Sequence, residues 1–297
     1  MEKGKFADYA IREGNVKWND SIKRQKELYD REDELRSPFY RDYNHIFNCM
    51  AFRRLKHKTQ VFFATHNDHI CTRMEHVNHV MSISYDISSY LGLNTDLTLA
   101  IAIGHDIGHA PFGHAGETIL RNLAEKYLED NFWHEKNGLR FADKYETLQD
   151  PYGNEENLNL TYAVRDGIIS HCGEIKERSL KPRDNVIDLY SITKPNEYSP
   201  FTWEGCVVKI SDKIAFIGRD IEDAIMLKVL SKRNIIELYK IIENDINIKI
   251  SDINNTVIIH NFLIDLCRHS DPLNGLRFSE KYLILIDHLK KFCYSYI

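Results

Sequence analysis

The chain lacks long hydrophobic runs, and no stretch of its 297 residues approaches the roughly 18 consecutive apolar residues that a membrane-spanning helix needs. Its first residues, MEKGKFADYAIREGN, also lack the apolar centre of a secretory signal peptide. We therefore expect a cytoplasmic protein that has no membrane partner.

Paired cysteines and an excess of positive charge are missing as well. The six cysteines are scattered and include no CxxC pair, which is typical of reduced thiols in a cytosolic protein. A net charge of -5 gives no general attraction to nucleic acid, so a phosphate-binding surface must be local. We expect nucleic acid to act as an effector at most.

Strand patterns are few and short. The best candidate is Thr59–Thr65, TQVFFAT, which is equally compatible with a helix end followed by a loop. The stretch QDPYGNEENLN and the segment from Lys181 to Thr202 are typical of surface loops, and the second is long for a compact domain.

Helical periodicity dominates the rest of the chain. One predicted helix places apolar residues and a histidine on a single face, with Gly92 as its C-cap: His76, Val80, Ile83, Ile87 and Leu91. The next, DLTLAIAIGHDIGH, is apolar nearly all round and is predicted to be central. A third has the apolar stripe Ile210, Ile214, Ile217, Ile221 and Ile225, with Asp212, Arg219 and Asp220 off the stripe. These patterns predict an all-α, mainly helical fold with little or no β structure.

The segment AIGHDIGHAPFGHAGE, residues 102–117, crowds imidazoles and carboxylates among glycines and a proline. His105 and Asp106 are about 100° apart on a helix, so one metal ion between them requires a helix end. Two adjacent ions, or one ion and a bridging carboxylate, fit the spacing equally well. His76 and Asp212 are suitable additional ligands, and such a donor set suits Mn, Fe, Co, Ni, Zn or Mg. Four other histidines are interpreted as surface or satisfied core residues: His45, His57, His134 and His288.

Five blocks between about Arg36 and Ala224 together resemble the dGTPase branch of the HD-domain phosphohydrolases, which are deoxynucleoside triphosphate triphosphohydrolases. In order, they are AFRRLKHKTQVF, TRMEH, GHDIGHAPFGHAGE, LNLTYAVRDGIISHCGE and SDKIAFIGRDIEDA. The H…HD…D pattern alone is weak, whereas five blocks in order are specific.

The resemblance implies an HD-domain helical core that hydrolyses dNTPs to a deoxynucleoside and inorganic triphosphate, with dGTP as the default substrate. It implies one divalent ion (Mn²⁺, Mg²⁺, Co²⁺, Ni²⁺ or Fe²⁺) and allows a second ion with substrate. The implied metal ligands are His76, His105, Asp106 and Asp212. The implied catalytic residues are His109, His114 and Glu117, with His114 moving a proton, Glu117 holding it and His109 donating to a phosphate oxygen.

The resemblance also implies six substrate-binding residues: Arg53, Gln60, Arg73, Tyr162, Asp166 and Lys213. Of these, Gln60 is expected to contact the deoxyribose 3′-hydroxyl. His171 matches a family histidine that is either structural or functional. Lys56 and Lys58 are interpreted as a solvated face.

The expected organisation is an N-terminal helical extension (1–35), a catalytic domain (36–230) and a C-terminal helical segment packed on that domain (231–297). A homo-oligomer, from dimer to hexamer, is expected.

Three other functions fit part of the pattern. A nucleotidase, cyclic-nucleotide phosphodiesterase or alarmone hydrolase shares the metal ligands but not the KTQVF and GHAPFGHAGE blocks together. A non-catalytic nucleotide sensor would be expected to have lost one of the metal ligands, or His114, or Glu117. All of these residues are present. Single-stranded nucleic-acid binding or cleavage usually needs a basic stripe, which the acidic balance disfavours.

Overall fold

The structure, a computed structural model, describes residues 4–29, 33–62, 69–172, 178–246 and 255–297. These residues form twelve α-helices and one two-stranded antiparallel hairpin, so the mainly helical prediction is confirmed. The helices are α1 (Trp18–Ser21), α2 (Pro38–Asn48), α3 (Met50–Arg54), α4 (Arg73–Leu91), α5 (Thr95–Gly104), α6 (Gly113–Leu128), α7 (His134–Arg140), α8 (Tyr162–Ser170), α9 (Trp203–Met226), α10 (Lys232–Ile246), α11 (Asn255–His269) and α12 (Glu280–Tyr296). The strands are β1 (Thr147–Gln149) and β2 (Glu155–Asn157).

The apolar helix α5 lies at the centre, as its composition predicted. It contacts α2, α4, α8 and α9, and of its residues from Leu97 to Gly104 all but Leu99 are buried. A helix that is surrounded by other helices needs apolar side chains on all its faces, and this explains its lack of a polar stripe. No helix in the described residues is both long enough and apolar enough to span a membrane.

The ends of α4 and α5 follow from local sequence. Thr72 and Glu75 form a reciprocal capping box at the start of α4, and Gly92 ends this helix in the left-handed region at φ +85°. The Asn94 side chain then accepts from two backbone N–H groups at the start of α5. The predicted face of α4 is buried throughout.

Helix α9 follows its predicted stripe with two differences. Ile225, near the end of the helix, is exposed rather than buried. Asp220, which lies off the apolar stripe, is nevertheless buried. Two helices beyond residue 230 contact this part of the core, since α11 contacts α4 and α9 and α12 contacts α9.

The β structure differs from the sequence prediction. The stretch QDPYGNEENLN is not only a loop, because it contains the turn and second strand of the β1–β2 hairpin, in which Thr147 pairs with Asn157. In the predicted strand Thr59–Thr65, Thr59 forms an isolated bridge with Thr72, and residues 63–65 lie outside the described residues.

The N-terminal extension is less helical than expected, because its described residues contain only α1 and a 3-10 turn at Ala7–Tyr9. Buried Glu204, in the first turn of α9, holds this extension in place. One of its carboxylate oxygens accepts from the backbone N–H groups of Ile11 and Asn94, at 3.1 and 3.0 Å.

A close crossing brings α7 against the turn that follows α5. A Cβ placed on Gly108 would lie 2.0 Å from the backbone N of Gly138 and 2.3 Å from the carbonyl O of His134. Asn137 donates to the Gly108 carbonyl at 2.7 Å, which closes the same contact. Only glycine at position 108 therefore lets α7 lie this near to the histidine-rich turn.

Substitution Gly108→Ala is predicted to destabilise the fold by about 3 kcal/mol or more, because backbone on α7 occupies the space that the new methyl group needs. Urea unfolding measures the loss. Gly153→Ala is the control: Gly153, unlike Gly108, has a positive φ, at +85°, but it has open space around it, so we expect a cost of about 1 kcal/mol from backbone conformation alone. Equal losses in the two variants would contradict the crossing argument.

Candidate active site

The four implied metal ligands converge from three helices. His76 lies in the first turn of α4, His105 and Asp106 follow the end of α5, and Asp212 lies in α9. His76 Nε2 donates to Asp212 Oδ1 at 2.9 Å. His105 Nε2 lies 3.8 Å from Asp106 Oδ1 and 3.9 Å from Asp212 Oδ1. The structure thus brings together two imidazoles and two carboxylates around one point.

The orientation of His105 fits a metal ligand. Its Nδ1 donates to the Ala102 carbonyl at 2.7 Å, which leaves Nε2 without a proton in the neutral ring. This Nε2 is buried and has no hydrogen-bond partner among the described residues, although two carboxylates face it. A divalent cation between these groups would satisfy the orphaned nitrogen, so the residues present fit such an ion.

Local positive charge keeps the two carboxylates ionised. Burial alone would raise the pKa of Asp106, but the charge of Arg73, whose guanidinium donates to Asp106 Oδ2 at 2.7 Å, and the nearby histidines hold it well below its ordinary value. Burial also opposes ionisation of Asp212, and the hydrogen bond from His76 outweighs it, so this pKa is lowered too. Both carboxylates are therefore available as charged metal ligands.

The second half of the histidine segment is a tight turn into α6. Phe112 and Gly113 both adopt left-handed backbone, at φ +62° and +60°, and the large Phe112 side chain is exposed. The turn places His114 Nδ1 3.8 Å from Glu117 Oε2. The His114 side chain is 85% exposed and that of Glu117 only 7%. An accessible imidazole thus stands over a buried carboxylate.

His109 is buried beside this pair and carries no charge. Burial, with the positive charge of Arg73, lowers its pKa to about 2. Its Nδ1 donates to the Ala110 carbonyl at 3.1 Å, so Nε2 of the neutral ring bears a lone pair. The expected donation to a phosphate oxygen therefore requires a protonated ring. Lys58, interpreted from the sequence as solvated, is half-buried and donates from Nζ to the His109 carbonyl at 2.5 Å.

Two histidines complete the cluster, and the sequence analysis did not assign them to it. His134 begins α7, and its ring centroid lies 4.7 Å from that of His109. His171 follows α8, with its ring centroid 5.0 Å from that of His105 and 5.6 Å from that of His134. His134, interpreted from the sequence as a surface or satisfied core residue, is buried, and its Nδ1 lies 3.4 Å from Glu117 Oε2. The adjacent Trp133 and Glu135 give no periodic pattern that could have found it.

The predicted substrate residues are distributed unevenly. Arg73 lies in the cluster, and Gln60 lies beside the start of α6, with its backbone carbonyl 3.8 Å from a Cβ built on Gly113. Arg53 is exposed at the end of α3. Lys213, next to Asp212, lines a cavity of about 280 Å³ between α9, α11 and α12. The roles of these four residues in substrate binding stay predictions.

Tyr162 and Asp166 hold a segment of chain against α8. Asp166 is buried, forms an ion pair with Arg183 at 2.5 Å and accepts from the Phe201 backbone N–H at 2.6 Å. The Tyr162 hydroxyl donates to the Ile187 carbonyl at 3.1 Å and accepts from Arg183 at 2.7 Å. These contacts anchor the long segment after Lys181, and a role of either side chain in binding substrate stays a prediction.

Asp220 is a further buried carboxylate near the cluster. Burial raises its pKa to about 7, and the nearest charged groups that act on it are His76 and Asp223. Its Oδ1 has no hydrogen-bond partner among the described residues. The periodicity of α9 placed this residue off the apolar stripe and gave it no role.

Comparison with known families agrees with this geometry. The family model described as HD domain matches residues 73–217, a range that begins at Arg73 and includes all four converging ligands. Residues 73–217 thus have the sequence features of an HD domain. Proteins with this domain are metal-dependent hydrolases, and the His and Asp groups found here could hold the ion.

Three proteins that are similar to this chain over about 70% or more of its length carry the same name. A deoxyguanosinetriphosphate triphosphohydrolase-like protein of Caldanaerobacter subterraneus is 40% identical over 208 residues, which cover 69% of this chain and 52% of that protein. Proteins of the same name from Bartonella quintana and Pelagibacter ubique are each 36% identical, and the aligned residues cover 72% and 77% of this chain and 53% and 61% of those proteins. The resemblance stated from the motifs is confirmed. The chain spans about half the length of the curated relatives it matches.

Asp212→Asn is predicted to abolish the thermal stabilisation that a divalent ion gives the HD domain, because the ion loses a charged ligand. In the parent, Mn²⁺ at a hundredfold excess over its Kd should stabilise the fold by about 2.7 kcal/mol. Melting curves with chelator and with added Mn²⁺ measure the ion-induced shift. Asp245→Asn, which removes a carboxylate paired with exposed His288 on α12, should keep the full shift. An unchanged shift in Asp212→Asn would contradict the assignment.

Proposed function

We propose that this chain hydrolyses deoxynucleoside triphosphates to a deoxynucleoside and inorganic triphosphate, with dGTP as the first substrate to test. One observation carries the proposal: a buried set of two imidazoles and two carboxylates adjoins an exposed imidazole that stands over a buried carboxylate. The names of the relatives support the same substrate class.

The proposed metal ligands are His76, His105, Asp106 and Asp212. With nitrogen and carboxylate donors, Mn²⁺, Mg²⁺, Co²⁺, Ni²⁺ or Fe²⁺ are the ions we propose, and a second ion could enter with substrate. When bound there, the ion would polarise a phosphoryl oxygen and help to ionise water. Arg73 keeps Asp106 charged and thereby preserves this ligand set.

The chain's own residues would handle the proton and the phosphate charge. His114 is exposed enough to meet a substrate, and an imidazole can act as a general acid or base. Burial opposes ionisation of Glu117, but the nearby imidazoles of His114 and His134 outweigh it and lower the pKa of Glu117, so the carboxylate stays ionised and can orient the His114 ring. Lys58 and Arg73 supply local positive charge beside the cluster, in a chain whose net charge is -5.

A cytoplasmic location, a dNTP partner and a homo-oligomer from dimer to hexamer form part of this proposal. Size-exclusion chromatography with light scattering would measure the oligomeric state. Another HD hydrolase activity and nucleotide sensing without catalysis are the competing functions, and product analysis separates them.

Purified protein incubated with each dNTP and with GTP, in Mn²⁺ or Mg²⁺, is predicted to release inorganic triphosphate from at least one dNTP. Ion-exchange chromatography would identify the phosphate product, with heat-denatured protein as the control. Release of orthophosphate or of a nucleoside monophosphate would instead favour another HD hydrolase. A failure to hydrolyse any nucleotide, combined with nucleotide binding, would favour a sensing module.

His114→Ala is predicted to lower turnover by at least about a hundredfold while leaving metal content unchanged, because it removes the proton-transferring group and no metal ligand. Turnover and metal content are measured on the same preparation. His288→Ala, at an exposed position on α12, is the matched control and should keep full activity. Activity of His114→Ala within a few-fold of the parent would contradict the catalytic role.

A further inference from the structure

A second group of potential metal ligands borders the active site and shares no residue with the first. It consists of His134, His171 and Cys172, whose candidate ligand atoms all lie within 4.8 Å of one another. Both histidines are buried, and Cys172 is half-buried. Three converging donors of this kind can hold one ion and leave a coordination position for water.

Both imidazoles of this group have their Nδ1 engaged elsewhere. His171 Nδ1 donates to the Ile168 carbonyl at 2.8 Å. His134 Nδ1 faces carboxylate oxygens of Glu117 and Glu135, each at 3.4 Å. Metal-binding histidines usually donate their other ring nitrogen to such acceptors, which fixes the ring and raises its basicity. In both rings, Nε2 is the nitrogen left to bind an ion.

A buried lysine fixes the backbone around the group. Lys209 Nζ donates to the carbonyls of Ser170 and Cys172, at 3.2 and 2.5 Å, and to Asn196 Oδ1 at 2.8 Å. These bonds hold the chain on both sides of His171. Burial raises the pKa of the Cys172 thiol, with His134 acting against it, so binding of an ion through this sulfur would release the thiol proton.

We propose that His134, His171 and Cys172 form a second metal site, which binds Zn²⁺ through two nitrogens and one sulfur. The donor chemistry separates it from the first set. A thiolate with imidazoles selects Zn²⁺ and similar soft ions, whereas imidazoles with carboxylates also accept harder ions such as Mn²⁺ and Mg²⁺. The two donor sets therefore favour different ions, although the candidate ligand atom of His171 also lies within 4.8 Å of those of His105 and Asp106.

Because of its position, the second site is expected to inhibit dNTP hydrolysis when Zn²⁺ is bound, and this consequence rests on the proposed function. His134 contacts both Glu117 and His109. An ion on His134 would fix that ring and place a cation beside the carboxylate that orients His114. Zn²⁺ should thus block proton transfer without displacing the ion at His105 and Asp106.

Cobalt spectroscopy tests the ligand set without any need for activity. Protein loaded with two equivalents of Co²⁺ is expected to show a sulfur-to-cobalt charge-transfer band in the near ultraviolet. The band should vanish in Cys172→Ser and persist in Cys293→Ser, which changes a buried cysteine on α12. Absence of the band in the parent, or its survival in Cys172→Ser, would overturn the site.

A third variant tests whether the sites are independent. Asp212→Asn lacks a ligand of the first site only, so it should keep the charge-transfer band while its total bound metal falls by one equivalent. Loss of the band in this variant would overturn the separation of the sites. Melting curves of all variants check that each is folded.

Zinc titration tests the regulatory consequence. Cys172→Ser should turn over dNTP like the parent but need at least about tenfold more Zn²⁺ for half-inhibition, because it lacks the sulfur ligand. Equal sensitivity of the two proteins would overturn the inhibitory role. If neither hydrolyses dNTP, the proposed function fails, whereas the cobalt band still decides the metal site.

Discussion

A buried carboxylate at the end of an apolar helix constrains the centre of this protein. Asp106 follows α5, whose side chains are almost all buried, so an unpaired charge there would cost several kcal/mol or more. Arg73 and a ring of imidazoles supply the compensation. Because Arg73 and His76 lie in the first turn of α4, the capping box of that helix also determines where the compensating groups stand.

The turn after α5 leads the chain from buried Asp106 to the protein surface. Gly108 lets α7 approach the backbone closely enough for the His134 ring to lie beside that of His109. Left-handed Phe112 and Gly113 then redirect the chain into α6, so that His114 faces solvent while Glu117 stays buried. A buried ligand set and an accessible proton-transfer group thus lie within one short stretch of chain.

Much of this could be predicted, and the failures have a common cause. Periodicity found α4, α5 and most of the α9 stripe, and the motif blocks found the ligands that converge. His134 and Lys209 were missed because their surroundings come from residues distant in sequence. A lysine that donates to the carbonyls after α8 cannot be told from a solvated lysine by its own neighbours in the chain. The short hairpin was missed because its turn residues also suit a loop.

The sequence by itself determined the helices, their caps and the chemical groups available, since these depend on spacing and on residues a few positions apart. Only the tertiary structure decided which groups meet. It grouped His76 and His105 with Asp212, and His134 and His171 with Cys172, and it placed His171 beside His105 and Asp106 as well. It also turned Tyr162 and Asp166 towards Arg183. The physical reason is that helix crossings and turns are set by contacts between segments far apart in the chain, and these contacts leave no periodic trace.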